Sequence, residues 1–131
     1  MAGVIVLDAS VLIGYLDDSD DHHVAAESLL AEALDDEIGV NPMTLAEVLV
    51  GPARDGRLEQ VRGVLRAIEV IELPFPSGAA DRLARLRVDT GLRMPDCCVL
   101  LAAEDNGASV ASFDDRLVQT AKARNLVVLE R

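Results

Sequence analysis

The sequence predicts an α/β fold with a mostly parallel sheet of four to five strands and helices on both faces. Short apolar runs at 4–7, 38–40, 70–73, 108–112 and 126–129 recur between longer segments whose apolar residues have helical spacing. The first run, Val4-Ile5-Val6-Leu7, is continuously apolar, as in a strand buried on both faces. Strands that alternate with helices join as parallel neighbours, because each crossover carries a helix back across the sheet.

Each element follows from local chemistry. After the first strand, Ser10 to Leu16 reads as a short helix with Val11, Leu12, Tyr15 and Leu16 on one face. Asp17-Asp18-Ser19-Asp20-Asp21 is a polar break that can cap the Ala- and Leu-rich helix from His22 to Leu34. Pro42 suits the first turn of a helix that turns Leu45, Val48 and Leu49 inward and ends at Gly51-Pro52. Leu58 to Ile68 is a second amphipathic helix, so residues 42–68 form a two-helix insert. Ser77 is a candidate N-cap for a helix to about Asp89, broken by Gly91. Pro95-Asp96 opens the most apolar helix, which Asn106-Gly107 stops, and Asp114 to Ala123 is the last helix.

The length, 131 residues, predicts one domain over 1–131 with a real core. Tyr15, Phe75 and Phe113 are the only aromatic residues, which argues against a base-stacking platform for single-stranded nucleic acid. The formal net charge of −11 is unevenly spread. Residues 1–53 carry eleven acids and no Lys or Arg, whereas residues 54–93 carry eight Arg against six acids. That middle segment could form a phosphate-facing rim, dock an acidic partner, or solvate helix faces. Cys97 and Cys98 are adjacent, which disfavours a disulfide between them, and they read as core residues of an apolar helix. The chain fits a reducing compartment and is expected in the cytoplasm. No stretch approaches the roughly 18 apolar residues of a membrane span.

Four carboxylates stand at element edges: Asp8 and Asp114 after strands, Asp96 at a helix start, Glu47 one turn into a helix. In an open α/β sheet, ligands bind beyond the carboxyl ends of strands near a switch point, where such edges can converge. Converging carboxylates repel, and a hard divalent cation is the usual remedy. That points to metal-dependent chemistry on a phosphate. Three of the four also have a capping explanation. Asp96 and Asp114 could each be an N-cap, and Glu47 could be the capping-box acid of Thr44. Asp8 resists that explanation best, because a carboxylate directly after a buried strand must be satisfied by something.

The motifs around these acids resemble a known family. Val4-Ile5-Val6-Leu7-Asp8-Ala9-Ser10-Val11-Leu12-Ile13 looks like the opening of PIN-domain ribonucleases. Thr44-Leu45-Ala46-Glu47 resembles their second acid motif, Met94-Pro95-Asp96-Cys97-Cys98-Val99 their third, and Ser112-Phe113-Asp114 their Thr/Ser-x-Asp motif. Order, spacing and length agree over essentially the whole chain, and the size is similar to that of VapC toxins of VapBC toxin–antitoxin pairs. Leu100 and Leu101 depart from the small residues common there, and Asp115 beside Asp114 leaves two candidates for the fourth acid.

The resemblance implies a PIN-like three-layer α/β/α fold and an endoribonuclease that hydrolyses phosphodiesters with Mg²⁺ or Mn²⁺. Asp8 and Asp96 would be the principal metal ligands, Glu47 and Asp114 (or Asp115) the assisting pair, and all four acids catalytic. Ser10, Arg93 and Ser112 are candidate substrate contacts; Ser10 could equally cap the first helix, and Arg93 could equally be solvated. The implied partners are an RNA substrate, a second copy of the chain, and a VapB-type antitoxin whose tail covers the crevice, with an Arg among the carboxylates. Antitoxin contact is expected along residues 42–68, on the argument that Leu45, Val48, Leu49, Val61 and Leu65 exceed what the core can bury.

Other readings fit less well. A non-enzymatic PIN-like scaffold is disfavoured by the presence of all four acids. A receiver domain would want an aspartate after a central third strand and a late Lys after a strand, but Lys122 lies mid-helix. Dinucleotide binding lacks Gly-x-Gly-x-x-Gly, and a haloacid-type hydrolase lacks Asp-x-Asp after the first strand. His22 and His23 beside the Asp cluster read as structural rather than metal-binding.

Overall fold

A computed structural model describes residues 3–129. Its elements in chain order are β1 (Val4–Leu7), α1 (Ala9–Leu16), α2 (His23–Glu32), β2 (Glu37–Val40), α3 (Pro42–Arg54), α4 (Leu58–Ala67), β3 (Val70–Glu72), α5 (Ala79–Thr90), α6 (Met94–Asn106), β4 (Ser109–Ala111), α7 (Asp115–Ala123) and β5 (Val128–Leu129). The five strands form one sheet in the order β3-β2-β1-β4-β5, and all four pairings are parallel. The chain leaves β1 toward β2 and β3, then crosses to the other side for β4 and β5. The switch point therefore lies between β1 and β4.

The pleat of β1 divides the core into two layers. Ile5 and Leu7 pack with Val11, Leu12, Leu29, Leu45 and Leu65 on the α1–α4 side. Val6 packs with Leu86, Leu92, Val99, Leu100, Leu117 and Ala121 on the α5–α7 side. Leu100 and Leu101 are fully buried there, so the departure at these positions is absorbed by packing. Gly39 of β2 makes room for Leu73. A Cβ would lie 2.5 Å from a Leu73 methyl, so any side chain there would force Leu73 to shift.

Three local expectations are corrected. Pro52 does not end α3, which runs to Arg54. Proline in the last turn forfeits one late hydrogen bond, and the preceding Gly51 has no Cβ for the ring to meet. Ser77 is not the cap of α5. Gly78 precedes that helix with φ +76, a left-handed conformation that glycine adopts without strain. The five apolar residues expected to be in excess on α3 and α4 are not, although Met43, Val50, Leu58 and Val64 of these helices are exposed. Leu45, Val48, Val61 and Leu65 are buried and Leu49 packs against them, so they belong to the core rather than to a partner. Among the described residues no helix is long and apolar enough to cross a membrane.

Candidate metal centre

Asp8 is where the strand order and the local chain turn coincide. Its backbone N–H still bonds Ala111 O across the sheet at 3.2 Å, closing the carboxyl ends of β1 and β4. Its side chain then caps α1, accepting from Val11 N at 3.2 Å. The same Oδ1 accepts from Ser10 Oγ at 2.6 Å, and Oδ2 accepts from Ser112 Oγ. Both hydroxyls are shared with the opposite turn. Ser10 Oγ accepts from Phe113 N at 3.0 Å, and Ser112 Oγ accepts from Asp114 N at 2.9 Å. Two serines thus lash the β1–α1 turn to the β4–α7 turn. Burial pushes the Asp8 carboxyl above its ordinary value; the bonds from Ser10, Ser112 and Val11 oppose this and the Asp114 charge adds to it.

The other three acids arrive from separate elements. Asp114 caps α7, accepting from Leu117 N at 3.0 Å, and stays exposed. Asp96 lies in the first turn of α6, behind Arg93, which occupies the cap position without a side-chain cap bond. Burial raises the Asp96 carboxyl, as do the charges of Asp114, Asp8 and Glu47, while Arg93 opposes them. Glu47 sits further along α3. The cap of α3 is Asn41, which accepts from Thr44 N at 2.9 Å and donates from Nδ2 to Thr44 Oγ1 at 2.9 Å. Thr44 is therefore occupied, and Glu47 is not its capping-box acid.

All four acids line one cavity of about 140 Å³, with Ala9, Ser10, Thr44, Arg93, Pro95 and Val99 completing the wall. Asp115 does not line it and faces solvent as the first residue of α7. Larger hollows elsewhere, one of about 450 Å³ against α2 and α4, contain neither Asp8 nor Asp96. The donor set is entirely oxygen, with no His or Cys in the wall, which suits a hard divalent cation. Among the described residues no three His, Cys, Asp or Glu side chains are drawn into a shell that could hold an ion by themselves. Such a wall fits a cation that keeps several of its own waters.

The family follows from sequence as well as shape. Residues 5–123 match the family model for the PIN domain. The chain belongs to the PIN domain family. Solved structures share the fold at low identity. A toxin–antitoxin complex from Klebsiella pneumoniae contains a chain 20% identical, with TM-score 0.76 and 96% of each chain covered. VapC20 of Mycobacterium tuberculosis, described as a sarcin–ricin loop cleaving toxin, is 14% identical with TM-score 0.74, covering 88% of this chain and 94% of that one. A chain of FitAcB from Neisseria gonorrhoeae is 20% identical with TM-score 0.69 and 96% of each chain covered. No curated protein matches the chain by sequence.

The PIN fold gathers Asp8, Glu47, Asp96 and Asp114, together with Ser10 and Arg93, around one cavity. Ser10 and Ser112 point their hydroxyls at Asp8, and Asp8 rather than Ser10 caps α1. The capping explanations are thus redistributed: Asp8 and Asp114 cap helices, whereas Glu47 and Asp96 do not. Sequence reasoning passed over Asn41, a fully buried side chain that fixes the start of α3. Its signal was present, since Asn directly before Pro42 is a cap residue before an N1 proline. It also missed the stacking of His22 on Phe113, with ring centroids 4.6 Å apart, although it read both histidines as structural. His23 Nδ1 pairs with Gly14 O at 2.8 Å. Cys97 and Cys98 are buried, free thiols, and burial pushes Cys98 up to about 11, away from thiolate chemistry.

Proposed function

We propose that this PIN domain, single over residues 1–131, is a Mg²⁺- or Mn²⁺-dependent endoribonuclease and the toxin of a toxin–antitoxin pair. The observation that carries the reading is the convergence of four carboxylates, from four elements, on one small cavity at the switch point. Asp8 and Asp96 are the principal ligands in this reading, with Glu47 and Asp114 binding directly or through water. An ion held there supplies an acidified water as nucleophile and offsets charge on the scissile phosphate. The protein's own part is positional. Ser10 and Ser112 hold both oxygens of Asp8, so its carboxylate does not swing. Arg93, exposed on the cavity wall, is placed to meet a phosphate oxygen.

The toxin role is supported by the fold shared with a chain of a toxin–antitoxin complex and with a VapC toxin, and the resemblance implies a cytoplasmic setting, a homodimer and a VapB-type antitoxin. Beyond Glu47 a groove of about 540 Å³ runs between α1 and the α3–α4 pair, walled by Ile13, Leu16, Val48, Pro52 and Val61. An antitoxin segment laid there reaches the carboxylates with an Arg side chain. The groove replaces the supposed apolar excess of residues 42–68 as the ground for contact on these helices. Hydrogen exchange of the complex is expected to protect α3; no protection there removes this placement.

The deciding experiment is RNA cleavage by purified protein with Mg²⁺ or Mn²⁺ and with EDTA. Wild type is expected to cut only with metal. Asp8→Asn combined with Asp96→Asn is expected to abolish cutting by more than about a hundredfold, beyond what loss of an outer-shell partner causes. Retained metal-dependent cleavage by the double variant sinks the reading.

A further inference from the structure

The four acids account for an ion, not for how a polyanion approaches a chain of formal net charge −11. We infer that an RNA strand enters across the turn between α5 and α6, with phosphates flanking the cavity held by Arg87, Arg93 and Arg116. The choice of RNA as ligand rests on the nuclease reading; the choice of flank rests on charge alone.

The two flanks of the cavity differ in sign. On the Glu47 side the groove wall carries Asp17, Asp18 and Asp55 against Arg54 and Arg57. Arg54 is already engaged there, 3.6 Å from Asp55. On the other side Arg87, Arg93 and Arg116 stand around one turn against two exposed acids outside the cavity, Asp89 and Asp115, a balance that is positive where that of the groove wall is negative. Arg87 lies in the last turn of α5, Arg93 precedes α6, and Arg116 is the second residue of α7. All three arginines are exposed. Arg116 Nη2 donates to Gly91 O at 3.2 Å, which draws the start of α7 onto the α5–α6 turn. That acceptor is a neutral carbonyl, so the guanidinium keeps its charge and its other donors.

The pairing pattern along these helices is the second observation. At the far end of α6, Arg82 lies 3.5 Å from Asp105 and Arg124 lies 3.0 Å from Glu104. At the cavity end, Arg87, Arg93 and Arg116 make no salt bridge among the described residues. Exposed guanidiniums with no carboxylate in salt-bridge contact, beside a cavity whose acids feel the Arg93 charge only at a distance, are the donors a phosphodiester backbone uses. With almost no aromatic surface available, backbone contacts carry this binding and base stacking adds little.

The test is the salt dependence of binding a labelled single-stranded RNA, read by fluorescence anisotropy in fixed Ca²⁺ with the strand checked for integrity. Each phosphate contact on a single strand contributes a slope of about 0.7 in log affinity against log salt. The triple variant Arg87→Gln, Arg93→Gln, Arg116→Gln is expected to lower the slope by about 2. The triple variant Arg57→Gln, Arg62→Gln, Arg66→Gln, on and just before α4, is expected to leave it unchanged. Arg116→Lys keeps the charge and is expected to keep the slope, which separates charge from any packing role. An unchanged slope in the first triple, or an equal fall in the second, overturns the inference, as does an absence of RNA binding by wild type. Wild-type cleavage with Mg²⁺ alongside an unchanged slope would sink the flank and leave the nuclease reading standing. A lowered slope without any cleavage would do the reverse.

Discussion

The acids on the strand ends and the acids on the helices differ in what the fold already asks of them. Asp8 and Asp114 follow β1 and β4 and each caps the next helix, so their carboxylates have partners before any ligand arrives. Glu47 and Asp96 cap nothing and accept no hydrogen bond among the described residues. Local folding chemistry is enough to explain the first pair. It does not explain the second, so Glu47 and Asp96 are the stronger structural argument for a ligand. Sequence alone ranks them otherwise, with Asp8 as the acid least easily dismissed.

The comparison breaks most sharply on stability without metal. Asp8→Ala removes the cap of α1 and leaves the buried Ser112 hydroxyl without its acceptor, while relieving the burial of a charge. The lost bonds outweigh the relief, and a net loss of about 1–3 kcal/mol is expected in urea denaturation. Asp114→Ala is expected to cost about 1 kcal/mol through the lost bond from Leu117 N, and Asp114→Asn to recover most of it. If either change leaves the midpoint unmoved, the strand-end acids are not structural and the contrast fails.

How much of this was legible beforehand follows the range of the interactions. The strands were legible because each is a short apolar run, and the acids at their ends were legible because a charge terminates such a run within one residue. Three-layer packing followed from alternating strands and helices. The lateral order β3-β2-β1-β4-β5 leaves no mark on any single segment, so the switch point could be invoked but not located. Caps were misassigned at three places where two candidates stood close together, though Asp114 was read correctly beside Asp115. Asn41 takes the role given to Thr44, Gly78 the role given to Ser77, and Arg93 the cap position given to Asp96. Which polar residue caps is decided by backbone angles a residue or two away, and one-dimensional spacing does not carry those angles. The burial of Val61 and Leu65 was missed for a related reason, since it depends on how α4 folds back on α3 and β3, which spacing along one helix does not carry.

For Asp96 the expected sign is opposite to that for Asp8. Its carboxyl is raised in the fold, first by burial and then by Asp114, so the folded state holds this proton where the unfolded chain has released it. The associated stability is fully present below the ordinary carboxylate value and is lost as pH rises through the raised one. At neutral pH the ionised group is therefore a net burden on the metal-free fold. Asp96→Asn is expected to be more stable than wild type near neutrality, with the gain fading toward acid. Thermal melts in EDTA across pH check this, and Mn²⁺ should stabilise wild type more than the variant. A gain independent of pH would assign the effect to packing instead.

The smallest expected change is the one that isolates function. Glu47 is exposed on α3, outside the Asn41–Thr44 cap, so Glu47→Gln keeps its length and disturbs no bond within the fold. The metal-free midpoint is expected to stay within about 0.5 kcal/mol of wild type, as for surface substitutions away from special features. Metal-dependent RNA cleavage is expected to fall at least tenfold, the lower bound for losing a partner of a bound ion. A variant that melts like wild type and still cuts like wild type would make Glu47 an ordinary surface residue. One that melts early would make it structural after all, and the division between strand-end and helix acids would lose its cleanest member. Only the combination of unchanged melting and lost cleavage places Glu47 in the ion's surroundings, because it separates a residue the fold does not need from a reaction that does.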